Sequence, residues 1–315
     1  MELDLAGLIP ATVTPMRRGG EVDEDALRRY IRWLLGYQGL KALAVNMDTG
    51  EGPQMLPDER RRILQIYREE VAGRLPVLAG IGAPNTAIAI QLAEDARHGG
   101  ADGIVVFPHA TFVGEPLPWR VPYEYHKAIA EAVPLPMVLF QLQPGLGGVL
   151  YSREALVKLA SIPTVVAAKE ASFDAVRFVE MVRALAAGPR RIQVLTGNDN
   201  FILESFVLGA DGALIGFGTV AIAEQIEMLR RFRVGDLAGA QEVYDRVIQP
   251  LVDVIFGPPV RNYRLRLKEA LVELGVLEAA HARPPLPPLD DDDERQRVRE
   301  AVRRARLAMP SPAGQ

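Results

Sequence analysis

The sequence predicts an α/β fold, a (β/α)8 barrel followed by a C-terminal helical appendage. Short apolar runs alternate with amphipathic stretches almost from the first residue, and eight such pairs follow one another within about 230 residues. The chain of 315 residues is longer than a usual domain, yet α/β barrels of this length form one domain. A doubly wound open sheet is the alternative, but no Gly-x-Gly-x-x-Gly motif opens the first unit.

The eight units alternate in order along the chain. We predict strands at residues 8–12, 42–46, 76–80, 103–107, 137–140, 165–169, 192–196 and 212–216, and helices at 23–35, 57–71, 86–98, 118–132, 153–160, 174–186, 201–208 and 221–232. The first helix opens with acidic residues, which suit the positive end of its dipole, and Pro57 suits the first turn of the second. Gly99 and Gly100 end the third helix.

The last quarter of the chain is helical in pattern. We therefore expect residues 1–233 to form the barrel and residues 234–315 an appendage packed on it, with helices at 237–255, 261–274 and 292–307. A proline-rich link at 284–288 precedes the last of them. The acidic run 290–293 resembles a metal site, but acids before a helix and arginines at its end are better explained by the helix dipole.

Composition excludes several classes of function. The 36 Lys+Arg against 40 Asp+Glu give a net charge of −4 and a pI near 5.7, which argues against nucleic acid or an anionic membrane as a partner. The absence of cysteine excludes disulfides, thiol nucleophiles and cysteine metal sites. The N-terminus has no basic region ahead of an apolar core, and no apolar run approaches the ~20 residues of a membrane helix, so we expect a cytoplasmic protein. No motif indicates a cofactor or a metal.

Lys169 stands where the sixth predicted strand ends, after the apolar run 165–168. A strand end that faces a cavity strips water from an ammonium group and lowers its pKa, and such an amine attacks carbonyl groups to form a Schiff base. Arginine is the usual cation of this chain, since lysine occurs only at positions 41, 127, 158, 169 and 268. We therefore predict that Lys169 is a nucleophile. The alternative is a strand-end lysine whose head group reaches solvent.

Other candidates lie in the loops after the strands, where barrels of this kind carry their working residues. The loop of Asp48, Thr49 and Gly50 offers a hydroxyl and successive backbone N–H groups that suit a carboxylate, although a capped turn explains it equally well. Amide side chains follow strands five and seven and could hydrogen-bond the hydroxyls of a polyol-like substrate, or merely satisfy loop backbone: Gln141, Gln143, Asn198 and Asn200. Phe140 and Gly216, at the ends of strands five and eight, complete the candidate substrate-binding set.

In their order and spacing, several short motifs resemble the family of dihydrodipicolinate synthase and N-acetylneuraminate lyase, the class I pyruvate-type aldolases. The segments that carry the resemblance are Val13-Thr14-Pro15 with Val22-Asp23, Thr49-Gly50-Glu51 with Glu59-Arg60, Gly100-Ala101-Asp102-Gly103, Lys169-Glu170-Ala171-Ser172 and Gly209-Ala210-Asp211-Gly212. The resemblance covers nearly the whole chain. It implies a TIM barrel, a tetramer or another homo-oligomer, imine formation between Lys169 and a 2-oxo acid such as pyruvate, and a grip on that acid's carboxylate near Thr49.

The chain departs from the family pattern at positions that matter for the chemistry. The strand-five tyrosine that relays protons in the family is Phe140 here, which has no ionisable group. The tyrosine pair after strand four is His109-Ala110, and the first threonine of the strand-two loop is Asp48. The arginine that pairs with the aldehyde partner's carboxylate in synthases is absent from residues 143–148.

These observations predict a Schiff-base-forming lyase, an aldolase or a dehydratase, that acts on pyruvate or a longer 2-keto-3-deoxy acid. Lys169 is the expected nucleophile, and Asp48 and His109 are the expected acid/base groups because they are the ionisable residues at the replaced positions. Two alternatives stay open. The chain could be a dihydrodipicolinate synthase of lysine biosynthesis, or a homologue that binds 2-oxo acids without catalysis.

Overall fold

The computed structural model describes residues 3–114, 116–289 and 291–310. Eight parallel strands form one sheet in the order β1-β8-β7-β6-β5-β4-β3-β2. The strands are β1 (Leu8–Pro10), β2 (Leu43–Val45), β3 (Val77–Ile81), β4 (Gly103–Val106), β5 (Met137–Leu142), β6 (Val165–Ala171), β7 (Gln193–Thr196) and β8 (Gly212–Ile215). Parallel bridges pair Leu8 with Leu40 and Ala11 with Ala44 and so bring the two sheet edges together. The predicted (β/α)8 barrel is confirmed, and the open sheet is excluded.

Eight helices surround the barrel, one after each strand. They are α1 (Glu24–Leu34), α2 (Pro57–Val71), α3 (Thr86–His98), α4 (Arg120–Ala132), α5 (Arg153–Leu159), α6 (Ala175–Ala186), α7 (Ile202–Val207) and α8 (Ile222–Arg233). Asp23 caps α1 by accepting a hydrogen bond from the Ala26 N–H at 3.0 Å. The apolar faces of the helices pack on the outside of the sheet and form the larger of two hydrophobic cores.

The C-terminal segment adds α9 (Leu237–Val243), α10 (Gln249–Ile255), α11 (Tyr263–Glu273) and α12 (Asp292–Ala305). A π-helical segment, Tyr244–Ile248, joins α9 to α10, so the predicted helix 237–255 is continuous but locally widened. Asp291 caps α12, as the dipole interpretation of the acidic run requires. Asp290 and residues 311–315 lie outside the described residues.

The barrel interior holds the smaller core, built from side chains that alternate along each strand. Val138, Phe140 and Leu142 of β5 and Ala167 and Ala171 of β6 belong to it. Lys169 occupies the position between those two alanines, and it pairs in register with Phe140. The two-residue period of β6 therefore directs Lys169 into the barrel at its C-terminal end. Both strands run two residues beyond their predicted ends, which places the site deeper than the sequence indicates.

No helix in the described part of the chain combines the length and apolarity needed to cross a bilayer.

Candidate active site

The Lys169 amine lies in the barrel mouth, almost shielded from solvent. The residue is 6% exposed, and its Nζ lies 4.3 Å from the centroid of the Phe140 ring. Loss of hydration lowers the pKa of Lys169 to about 8, although the nearby charges of Asp199 and Asp48 oppose this shift. A β-carbon at Gly197 would lie 2.6 Å from Lys169 Cε, so only glycine leaves room for the lysine stem. This amine is therefore available as a nucleophile near neutral pH.

A cavity that is partly open to solvent surrounds the amine. Its walls are Asp48, Thr49, Phe140, Leu142, Leu146, Lys169, Ala171, Phe173, Gly197, Asp199, Gly216, Phe256 and Tyr263. Five of the eleven residues selected from the sequence line it, namely Lys169, Asp48, Thr49, Phe140 and Gly216. Thr49 is buried, and a β-carbon at Gly216 would lie 3.0 Å from its hydroxyl oxygen, so that these two positions are neighbours in the cavity.

Asp48 is held by two residues of α11. Its Oδ2 accepts hydrogen bonds from the Tyr263 hydroxyl at 2.6 Å and from Arg264 Nη2 at 2.5 Å. Arg264 Nε also donates to the Asp48 carbonyl at 2.9 Å. The negative charge of Asp48, next to the expected site of the substrate carboxylate, is thus balanced by the Arg264 guanidinium group. Tyr263 brings a phenol into the cavity from a helix that is far away in sequence.

Asp199 is a second carboxyl group in this cavity, and it is not among the candidates from the sequence. It is 4% exposed, and its Oδ1 accepts a hydrogen bond from the Phe217 N–H at 2.8 Å. Burial raises the pKa of Asp199, while the Lys169 charge opposes the rise. Asp199 lies within the predicted loop 196–200, between Asn198 and Asn200, which the sequence pattern favoured as substrate ligands.

The predicted amide ligands do not line the cavity. Gln141 Nε2 and Asn198 Nδ2 donate to the two carboxylate oxygens of Glu170, at 2.9 and 2.7 Å. Gln141 Oε1 accepts from the Tyr151 N–H, and Asn198 Oδ1 accepts from the Phe173 N–H at 2.7 Å. Burial raises the pKa of Glu170, which these donors partly offset. The two amides therefore order the loops above the barrel, because a buried carboxyl group requires partners.

Four further candidates, Gly50, Gln143, Asn200 and His109, are also absent from the cavity lining. Asn200 Nδ2 donates to the Phe173 carbonyl at 3.2 Å. Gly50 donates its N–H to the Met47 carbonyl at 3.1 Å and accepts from the Thr14 hydroxyl at 2.8 Å, so its backbone is engaged within the loop. Gln143 precedes the 3-10 turn Pro144–Leu146 and is not among the cavity residues.

His109 also lies away from the cavity. Its Nδ1 lies 2.7 Å from the Thr111 hydroxyl, and its ring packs on Phe112 and Tyr125 of the neighbouring layer. The structure therefore does not bring His109 to Lys169. The short turn Ala110–Phe112 directs the imidazole toward α4.

The described residues contain no group of three or more histidine, cysteine, aspartate or glutamate side chains placed to hold a metal ion.

Comparison with known proteins agrees with this architecture. The model of the dihydrodipicolinate synthetase family matches residues 4–305. The chain is 34% identical over 302 residues to the 4-hydroxy-tetrahydrodipicolinate synthase of Thiobacillus denitrificans, an alignment that covers 96% of this chain and 97% of that one. It is 32% identical over 302 residues to the enzyme of the same name from Neisseria gonorrhoeae, with coverage of 95% and 98%.

Solved structures show the same likeness. The chloride-inhibited dihydrodipicolinate synthase of Acinetobacter baumannii, complexed with pyruvate, superposes with a TM-score of 0.84 at 30% identity and covers 96% of this chain and 100% of that one. A monomeric dihydrodipicolinate synthase variant gives a TM-score of 0.87 at 26% identity, with coverage of 98% and 99%. Lys169 near the C-terminal end of β6, the barrel and the match along nearly the whole chain together show that this protein belongs to the dihydrodipicolinate synthetase family of class I, pyruvate-dependent aldolase-type lyases.

Proposed function

We propose that the protein forms an imine between Lys169 and a 2-oxo acid such as pyruvate or a longer 2-keto-3-deoxy acid. It then makes or breaks a bond of the substrate chain beyond C2, on the side away from the carboxylate. The observation that carries this proposal is the Lys169 amine, which is buried, lines a cavity and has a lowered pKa. The amine attacks the C2 carbonyl, and the carbinolamine loses water to give the imine. Loss of a proton from C3 then gives an enamine, whose C3 is the carbon nucleophile in synthesis and the leaving carbon in cleavage.

The Thr49 hydroxyl is the group we assign to the substrate carboxylate. It is buried, it faces the Gly216 position, and it lines the same cavity as the amine. The ion pair between Asp48 and Arg264 supports this assignment, because it removes most of the repulsion that a free Asp48 charge would exert on a bound anion.

Proton transfer needs a group other than Phe140, and Asp199 is better placed for it than Asp48. Asp48 Oδ2 is occupied by Tyr263 and Arg264. Asp199 is buried near Lys169, and its raised pKa allows it both to accept and to donate a proton near neutral pH. We therefore assign proton transfer at C3 to Asp199, and to Asp48 the orientation of the Tyr263 hydroxyl.

Exchange of the pyruvate methyl protons for deuterium tests this assignment. In deuterated water the wild-type protein should exchange them, since enamine formation removes a C3 proton. Asp199→Asn should slow exchange by about 100-fold, because the amide still accepts the Phe217 N–H but cannot take up or release a proton. Asp48→Asn should slow it less, and exposed Asp245→Asn should leave it unchanged. Proton NMR measures all four rates. If Asp48→Asn slowed the exchange more than Asp199→Asn, proton transfer would be assigned to Asp48 instead. No exchange by the wild type would contradict enamine chemistry.

The pH dependence of imine formation gives an independent test. The rate should rise with pH through the lowered pKa of Lys169, about 8, because only the neutral amine attacks a carbonyl. In Asp199→Asn the midpoint should lie at lower pH, since the Asp199 charge raises the pKa of Lys169 and the amide does not. Reductive trapping with cyanoborohydride across the neutral and alkaline range measures both midpoints. An unchanged midpoint would show that the two groups do not interact.

The second candidate is the synthase activity named for the relatives, and the sequence identity favours it. The cavity lining does not, because Lys169 is its only cationic side chain and the lining offers no partner for a second carboxylate. A homotetramer and a cytoplasmic location stay predictions, and sedimentation velocity tests the first.

A further inference from the structure

The outer part of the Lys169 cavity is lined by apolar side chains. Leu142 lies two residues beyond Phe140 on β5, and Ala171 two residues beyond Lys169 on β6, in register with each other. Both positions are nearer the open end of the barrel than the amine is. Leu146, from the turn that follows β5, and Phe173, which follows β6, extend the same wall. A molecule joined to Lys169 therefore meets hydrocarbon as it leaves the amine.

Aromatic rings continue this wall. Phe173 and Phe256 meet edge to face with centroids 6.5 Å apart, and Phe256 stacks on Tyr263 at 5.0 Å with an interplanar angle of 22°. Phe173 has a φ of 61°, which is uncommon for a residue with a large side chain. Its N–H is fixed by Asn198, which in turn donates to buried Glu170. The chain thus maintains an unfavourable backbone angle, which places this ring in the lining.

The charges of the lining exclude a charged partner at this end. Lys169 is the only cation among the cavity residues, and its nitrogen is neutral in the enamine that meets the acceptor. Arg264 is bound to Asp48, and Asp199 adds a second carboxyl group. An incoming carboxylate would thus lose water without gaining a cation. Gln141 and Asn198 are committed to Glu170, so they do not provide a set of donors for a polyol.

We propose that the group beyond the reacting bond is apolar and aromatic, so that the acceptor is an aryl aldehyde and the product a 4-aryl-4-hydroxy-2-oxo acid. This inference rests on imine formation at Lys169. The enamine C3 attacks the aldehyde carbon, a carbon–carbon bond forms, and the aldehyde oxygen takes one proton from a cavity acid. Hydrolysis of the imine then consumes one water and releases the product.

A competition among aldehydes tests the proposal. The wild-type protein is supplied with pyruvate and, in turn, benzaldehyde, succinic semialdehyde or glyceraldehyde, and the condensation products are quantified by mass spectrometry. We expect kcat/KM for benzaldehyde to exceed the other two values by about tenfold or more, the discrimination that a few buried carbons provide. Equal or higher values for the charged or hydroxylated aldehyde would overturn the proposal.

A pair of matched variants distinguishes the effect of a charge in the cavity lining from that of an added arginine elsewhere on the protein. Leu146→Arg puts a cation into the lining, whereas Val113→Arg puts the same side chain on an exposed loop after β4. Leu146→Arg should reduce benzaldehyde turnover by about tenfold and narrow or reverse its advantage over succinic semialdehyde, while Val113→Arg should change neither. Thermal unfolding monitored by circular dichroism verifies that both variants fold.

Failure of the imine itself is recognised separately. If borohydride traps pyruvate on Lys169 but the aryl aldehyde is not preferred, the proposal on the acceptor is wrong and the proposed function stands. If no adduct forms with pyruvate or a longer 2-oxo acid, the proposed function is wrong and the acceptor proposal is wrong with it.

Discussion

Lys169→Met should abolish the exchange of pyruvate methyl protons. Methionine fills nearly the same volume on the Phe140 ring but has no amine, so neither the imine nor the enamine forms. We expect a loss of at least about 10³-fold, to the rate of pyruvate in buffer, because removal of a covalent nucleophile eliminates the catalysed path. Proton NMR in deuterated water measures the rate.

The matched control is Lys127→Met, which removes a half-exposed lysine of α4. It should exchange pyruvate protons at the wild-type rate. The melting temperature of Lys169→Met should equal or exceed that of the wild type, because an amine that burial disfavours is replaced by an apolar group. Residual exchange in a folded Lys169→Met variant would show that another group activates pyruvate.

Lys268→Met should reduce the free energy of unfolding by about 3–5 kcal/mol, the cost of leaving a buried ion without its partner. Lys268 is 0% exposed, and its Nζ donates to Glu51 Oε1 at 2.5 Å and to the His281 carbonyl at 2.6 Å. Glu51 is 1% exposed and follows the loop that carries Thr49. The variant leaves its carboxylate with the Arg283 N–H as the remaining donor. Urea unfolding measures the change.

Two further variants test whether loss of the ion pair between Lys268 and Glu51 causes the destabilisation. The exposed ion pair of Lys127 with Glu131 should contribute less than about 1 kcal/mol, so Lys127→Met again serves as the control. Glu51→Gln combined with Lys268→Met removes both charges and should regain a large part of the lost stability. A loss below about 1 kcal/mol in Lys268→Met would show that the pair does not hold α11 to the barrel.

The barrel and its nucleophile were accessible from sequence because both leave local signals. Eight alternations of apolar and amphipathic segments specify the fold without knowledge of any tertiary contact. Lys169 follows an apolar run in a chain that otherwise uses arginine, and the two-residue period of a strand then fixes the direction of its side chain.

The remainder of the site depends on contacts between distant segments. Tyr263 and Phe256 enter the cavity from the C-terminal segment, and no periodicity relates either of them to Asp48. The sequence does not identify Asp199, because a carboxyl group in a polar loop gives no sign that it will be buried. Gln141 and Asn198 were assigned to substrate because the sequence does not show that Glu170 lies between them.

The most direct test of the account is reductive trapping of pyruvate. The protein is incubated with pyruvate and borohydride, digested, and its peptides are mapped by mass spectrometry. We predict one reduced three-carbon adduct, on the peptide that contains Lys169, and none on the peptides of the other four lysines. No adduct with pyruvate or longer 2-oxo acids, or an adduct confined to another lysine, would contradict imine chemistry at the mouth of this barrel.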